Sequence, residues 1–200
     1  MTDMEIDTRS NPNNTIGRRQ RRQPRAMTLE HAMEVIKATE HAVLSTCDLE
    51  GNPYGVPVSP VLDGNKLYFH ATGLPGGRKE DNMLMNPKVS LCFTGKATTL
   101  PEWYSVDYAC AVVRGKATKV EDPDEKLKAM KMILQRHAPQ NSEERNKVQF
   151  EHRYPLVAIW RVDIEEISGR ARGAQKWIPG KSIHEVQDMG PSKWLIGVPK

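Results

Sequence analysis

Ala42-Val-Leu-Ser-Thr-Cys-Asp-Leu-Glu-Gly-Asn-Pro-Tyr-Gly-Val-Pro-Val-Ser-Pro-Val-Leu-Asp-Gly-Asn-Lys-Leu-Tyr-Phe-His-Ala71 carries the pattern that decides the fold. Two turn signals cut it, Asp48-Leu-Glu-Gly-Asn52 and Asp63-Gly-Asn65, and leave three short apolar pieces. Ala42 to Cys47 is the first. Tyr54 to Leu62 alternates through Tyr54, Val56 and Val58, while Lys66 to Ala71 sets Leu67 and Phe69 on one face and Tyr68 and His70 on the other. Alternating pieces joined by tight turns predict an antiparallel meander. Pro57 and Pro60 fall inside the second piece, where neither can donate to a ladder, so they imply an edge, a bulge or a barrel corner. An interrupted ladder frees neighbouring backbone groups to face a ligand.

Upstream, Thr28 is placed to cap a helix whose Leu29, Ala32, Met33 and Ile36 recur at helical period. Downstream, a Gly-rich loop (Gly73-Leu-Pro-Gly-Gly77) leads into a short helix from Arg78 to Met85, stopped by Asn86-Pro87. Val89 to Phe93 reads as a strand, and Tyr108 to Val120 as a long one with a bulge at Gly115. Asp122-Pro-Asp-Glu125 is a helix start with cap, Pro at the first position and Glu at the third, and Leu127, Met130, Ile133 and Leu134 continue its apolar face. A polar helix is expected around Ser142 to Glu151 and a last strand from Leu156 to Ile164. Some six strands with separated helices and no strand–helix–strand alternation give a mainly β class with appended helices, either α+β or a small barrel. Residues 1–25 read as a polar arm, 26–169 as the domain, and 170–200 as a carboxy-terminal extension holding Trp177 and Trp194.

Composition narrows the function. With 38% hydrophobic and 27% charged residues in 200, the chain has the balance of one soluble domain with a core. No apolar run approaches the roughly 20 residues of a membrane span, and no secretory signal pattern opens the chain, so the cytoplasm is the expected compartment. The net charge of +4 divides into +3 on residues 1–25, −3 on 26–169 and +4 on 170–200. Positive charge thus collects at the ends rather than as a stripe on the folded body, which argues against nucleic acid as the partner. Cys47, Cys92 and Cys110 are odd in number and far apart, which disfavours a disulfide framework or a zinc site, and each reads as a small buried hydrophobe.

Among familiar catalytic patterns, H-E-x-x-H and G-x-S-x-G are both missing, and no metal site is expected. Gly73 to Lys79 has the wrong spacing for a nucleotide-hydrolase phosphate loop. It does deliver Arg78 and Lys79 to the start of a helix, whose free N–H groups and positive dipole end favour an anion. Cations are mildly disfavoured there, so two in succession point to a phosphate seat over simple solvation. His70 ends a strand just before that loop; its spacing alone fits a structural residue as well as a ligand contact.

Gly51-Asn-Pro-Tyr-Gly-Val-Pro-Val-Ser59, Leu67-Tyr-Phe-His-Ala71, Gly77-Arg-Lys79, Asn86-Pro87 and Asp107-Tyr-Ala-Cys-Ala-Val-Val-Arg-Gly-Lys-Ala117 follow one another in a specific order. In that order the chain, from about Arg22 to Arg172, resembles the FMN-binding split-barrel proteins of the pyridoxamine 5′-phosphate oxidase superfamily, above all their nitroimidazole-resistance branch. The resemblance implies a six-stranded antiparallel split β-barrel that forms a homodimer, with FMN in clefts between subunits. It implies backbone contacts to the flavin ring from Val58 and Ser59, a border of Phe69, His70 and Ala71 along the ribityl chain and ring, and Arg78 and Lys79 on the phosphate. The partner's long strand would add contacts near Cys110, where relatives more often carry a hydroxyl. His70 would lie beside the flavin and pass a proton to a reduced acceptor. Trp103, Tyr104 and Trp177 are aromatic candidates for a cleft wall.

The function so implied is an FMN-dependent oxidoreductase reducing a small planar, nitro-aromatic type of acceptor, with NAD(P)H as a candidate donor. Two alternatives stand beside it. One is a non-catalytic flavin- or haem-binding carrier or sensor; the other is a pyridoxine-phosphate oxidase-type enzyme, for which Arg170 and Arg172 are the available basic residues near the carboxy terminus.

Overall fold

The computed structural model describes residues 25–95 and 97–172. The opening meander forms as expected. Strand β1 (Ala42–Cys47) pairs antiparallel with β2 (Pro53–Val58), and β3 (Val61–Asp63) pairs with β4 (Lys66–Thr72). The second expected strand is thus two, broken at Ser59 and Pro60. The sheet runs β2-β1-β5-β7-β8-β4-β3, with β5 at Lys88–Thr94, β7 at Ser105–Lys119 and β8 at Val157–Arg172, while β6 (Thr98–Leu100) pairs with β7 beside this path. The two ends of the path, β2 and β3, are consecutive in the chain. Two linking residues therefore hold the outer edges of the sheet close together, and the sheet curls into an open, split barrel. Pro57 and Pro60 sit where their missing N–H groups cost no ladder bond, on an edge and at the corner.

Eight strands replace the six expected, because β3 and β6 are three-residue strands too short to show alternation. β8 is the larger surprise, since it runs on past Ile164 and past residue 169 to Arg172. Its polar second half, Glu165-Glu-Ile-Ser-Gly-Arg-Ala-Arg172, is strand because β7 lies beside it in continuous register, Tyr108 opposite Arg172 and Arg114 opposite Glu166. Cross-strand pairing overrides local preference here. The register shifts at Arg114/Gly115, beside the glycine where a bulge was expected, but the extra residue belongs to β8: Glu165 lies between Glu166 opposite Arg114 and Ile164 opposite Gly115.

Inside the barrel, Leu44, Phe69, Leu91, Phe93, Val113, Trp160 and Val162 are fully or almost fully buried. Helix α1 (Leu29–Ala38) adds Ala32, Val35 and Ile36 to that core. Its Thr28 cap accepts from the His31 N–H at 3.3 Å, and the Arg136 guanidinium donates to the Lys37 carbonyl at its other end. The outer face of β4 and β8 is covered by α3 (Pro123–His137), where Tyr68, Ile159, Val120, Ala129 and Ile133 form a second cluster. Polar bonds lock α3 to the sheet. The Tyr68 hydroxyl donates to Glu125 at 2.7 Å, and Arg161 reaches both Glu125 oxygens at 3.1 and 3.2 Å while also pairing with Asp163. Helices α2 (Arg78–Met85) and α4 (Glu143–Arg153) complete the elements. None of the helices in the described residues is long and apolar enough to cross a membrane.

Candidate functional site

Helix α2 begins where the sequence placed it. Gly77 is its N-cap and supplies no side-chain bond, so the first-turn N–H groups have no side-chain cap. A Cβ built on Gly76 or Gly77 would meet nothing within 4 Å, which marks open space in front of the helix. The Arg78 guanidinium lies over the Tyr54 ring, 5.2 Å from its centroid, and Lys79 Nζ lies over Phe69 at 5.7 Å. Among the described residues, neither cation has a carboxylate within ion-pair distance, although Arg78 is close enough to help hold the Asp48 carboxyl below its usual range, after the stronger bonds from Asn52. Burial pushes the Lys79 ammonium below its ordinary value, against the opposing pull of Glu80. Two cations with no anion of their own, at an open helix start, fit a phosphate group.

Buried polar contacts aim this helix. Asn82 is buried and donates to Thr46 Oγ1 at 3.0 Å, and that hydroxyl donates to the Tyr54 carbonyl at 3.2 Å, tying α2 to β1 and β2. Glu80 is buried as well and meets Lys119 of β7 at 2.8 Å. Met83 closes the apolar side. The seat therefore stands on the barrel wall, not on the Gly-rich loop alone.

Of the other residues singled out, Val58, Phe69 and Ala71 turn their side chains into the core, at 7%, 0% and 8% exposure. They can serve a ligand only through their backbone. β2 suits that role, since it pairs with β1 alone and leaves its other edge unpaired within the sheet path. Phe69 has a further part as the surface beneath Lys79. His70 is on the opposite face of β4, the one it shares with Tyr68, as alternation requires; Tyr68 is buried there under α3, while His70 is exposed. Ser59 is half-buried, and its Oγ is 2.9 Å from His41 Nδ1.

His70, Ser59 and His41 face a cavity of about 410 Å³, whose far wall is Ile133, Arg136 and His137 from the end of α3. His70 thus stands between Lys79 on the seat side and His137 on the cavity side. Burial, then the Lys79 charge, then His137 all push its pKa below the ordinary value. Burial also lowers His137, with help from Arg136 and His41 and against a bond to the Pro60 carbonyl and the Glu40 charge. Both imidazoles are accordingly neutral at pH 7. A depressed histidine pKa means that the unfolded chain binds protons first as pH falls, so stability is full above about pH 6.5 and declines below it. Urea midpoints measured from pH 7.5 down to 5 should fall below pH 6.5. The fall should be shallower in His70→Gln/His137→Gln; an equal slope in that variant would show that these two histidines are not its source.

Cys110 is not brought to this group. It is half-buried with its thiol pushed up by burial, and about 30 Å of strand at roughly 3.3 Å per residue separates it from Lys119 at the other end of β7. Trp103 and Tyr104 precede β7 at that same distant end, Tyr104 almost fully exposed with φ of 46°. Trp177 lies outside the described residues. Arg172 is held by Asp107 at 2.9 Å. Sequence reasoning passed over His41, Arg136 and His137. Arg136 and His137 end a helix, where basic residues are usual for dipole reasons, so nothing local singled them out. Among the described residues there is no metal-binding cluster.

The sequence matches the pyridoxamine 5′-phosphate oxidase family over residues 28–171, and the chain belongs to that family, whose members typically bind a flavin. Several solved structures share the fold. A protein from Bacteroides thetaiotaomicron assigned to 5-nitroimidazole antibiotic resistance is 23% identical, with 72% of this chain and 84% of that one covered, at a TM-score of 0.57. The flavocytochrome Anf3 from Azotobacter vinelandii is 17% identical over 80% of this chain and 74% of its own, with a TM-score of 0.64. The haem storage protein HutZ from Vibrio cholerae is 17% identical over 74% and 96%, with a TM-score of 0.54. At these identities the likeness establishes the split-barrel fold alone. Comparison with curated proteins returns no match.

Proposed function

We propose that this chain is an FMN-dependent oxidoreductase that reduces a small planar acceptor, a nitro-aromatic compound being the type that fits, at a cleft completed by a second copy of the chain. The observation that carries the reading is the line from the Arg78/Lys79 seat, past His70, into the cavity bounded by His137. Arg78 and Lys79 hold the phosphate, and the free edge of β2 at Val58, with Ser59 just beyond it, lines the ring. Bound FMN supplies hydride- or electron-transfer chemistry, with NAD(P)H the candidate donor. His70, neutral and with one face open, can hold a proton on its ring and yield it to the reduced acceptor. The cavity orients that acceptor and excludes part of the water around it. Cys110 is remote from the seat within one chain, so any contact of it with the cleft would come from the partner in a homodimer.

A haem carrier is the second reading, favoured by two imidazoles, His70 and His137, that line one cavity from opposite sides. One titration separates the two. The purified protein mixed with FMN should bind it and oxidise NAD(P)H when a nitro-aromatic acceptor is added, and His70→Gln should lower the acceptor rate about tenfold while binding FMN normally. That loss is below the usual general-acid range because water also reaches this site. Binding of haemin in preference to FMN would replace the oxidoreductase reading with the carrier one, and an unaltered acceptor rate would remove His70 from the chemistry.

A further inference from the structure

Glu80 is an anion in an awkward place. It follows Lys79 in the first turn of α2, its side chain is only 8% exposed, and its charge acts on the Lys79 ammonium. Left to itself, a buried carboxylate takes the nearest cation, because an unpaired buried charge is costly. On its own helix the cation its charge already acts on is Lys79, and a Lys79 drawn toward Glu80 has less left for a phosphate. Asp81, the other first-turn acid, is exposed and screened by water. Glu80 is not left to itself. Lys119, the last residue of β7, meets Glu80 Oε1 at 2.8 Å, across 39 positions of sequence.

We infer that Lys119 is a positioning residue for the phosphate seat: by pairing with Glu80 it leaves Lys79 uncommitted and keeps the start of α2 net positive. The inference rests on the phosphate-seat reading and deepens it, since it makes the preference of the seat for a phosphorylated flavin depend on a residue that does not touch the ligand. The pair also anchors α2 to the end of β7, yet anchoring alone would treat phosphorylated and unphosphorylated ligands alike. Charge bookkeeping at Lys79 would not.

FMN and riboflavin titrated into the full-length protein therefore test it. Lys119→Met should weaken FMN at least about tenfold, or about 1.4 kcal/mol, and riboflavin less than about twofold. Adding Glu80→Gln to that variant removes the anion that captures Lys79 and should return FMN affinity to near the wild-type value. Glu80→Gln alone, which retains every cation, should bind FMN at least as tightly as wild type, and it carries the test should Lys119→Met not fold. Equal loss of riboflavin, no loss of FMN, or failure of the second substitution to rescue would each overturn the role of Lys119, and so would weaker FMN binding by Glu80→Gln. The underlying seat is judged separately by Arg78→Ala/Lys79→Ala. If that variant loses FMN while Lys119→Met does not, the seat stands and only the inference falls.

Discussion

Arg78→Ala/Lys79→Ala should raise the FMN dissociation constant about a thousandfold and leave that for riboflavin within about threefold. Hydrogen bonds to charged groups each contribute about 1.5–3 kcal/mol net. Two such anchors give about 3–6 kcal/mol, and the exposure of Arg78 draws the sum toward about 4 kcal/mol, three decades in affinity. Lys79 is the more sheltered of the two, so Lys79→Ala should account for more of the loss than Arg78→Ala. Fold stability should change little, because neither side chain belongs to the core and α2 is aimed by the bonds of Asn82 and Glu80 and by the buried Met83. Quenching of flavin fluorescence on titration measures both constants. Parallel loss of FMN and riboflavin would mean that the pair supports the ring pocket or the fold; no loss of either would take the phosphate away from α2 altogether.

How much of this was legible in the sequence depends on the range of the interaction that decides each feature. The start of α2 at Arg78, the Asp122 cap of α3 and the hairpin at Asp48 to Asn52 are written in residues that touch one another locally, and all three formed where expected. The division of labour on β4, with Phe69 in and His70 out, follows from alternation alone. The second half of β8 was not legible, because Glu165 and Glu166 are strand only on account of β7, to which Lys116 and Arg114 bind them. The break at Ser59 was announced by the prolines, but whether it was edge, bulge or corner depended on where β3 would find β4. In the site, Arg78 and Lys79 were visible as an anomaly of charge at a helix start. His137 and Arg136 were not, since they are ordinary at a helix end until the fold turns that end toward His70. The Glu80–Lys119 pair has no local signature of any kind. The roles expected of Val58, Ser59 and Cys110 came from family resemblance, and the backbone contacts expected of the first two leave no trace in side-chain chemistry.

Among the described glycines Gly115 has the least room for a side chain, and alanine there should destabilise the barrel by about 3 kcal/mol, near the upper end for overpacking. A Cβ there would lie 2.1 Å from the Asp163 carbonyl oxygen and 3.0 Å from its carbon, and 3.0 Å from a Val162 methyl. The first of these atoms is backbone, so no rotamer change relieves the clash; β7 and β8 must part. They part at the point where their register shifts, between Arg114 opposite Glu166 and Gly115 opposite Ile164. That shift adds one residue to β8, Glu165, and lets β8 keep its inner face against the unbroken alternation of β7, Val162 on one side of it and Ala171 on the other. It also sets the register in which the end of β7 lies against β8, Lys119 opposite Trp160, and with it the place from which Lys119 meets Glu80. Gly115→Ala should therefore lower the urea midpoint and weaken FMN together, whereas Arg78→Ala/Lys79→Ala lowers only the second. A loss of stability under about 1 kcal/mol would show that the two strands yield cheaply at the bulge and that the seat does not depend on their spacing.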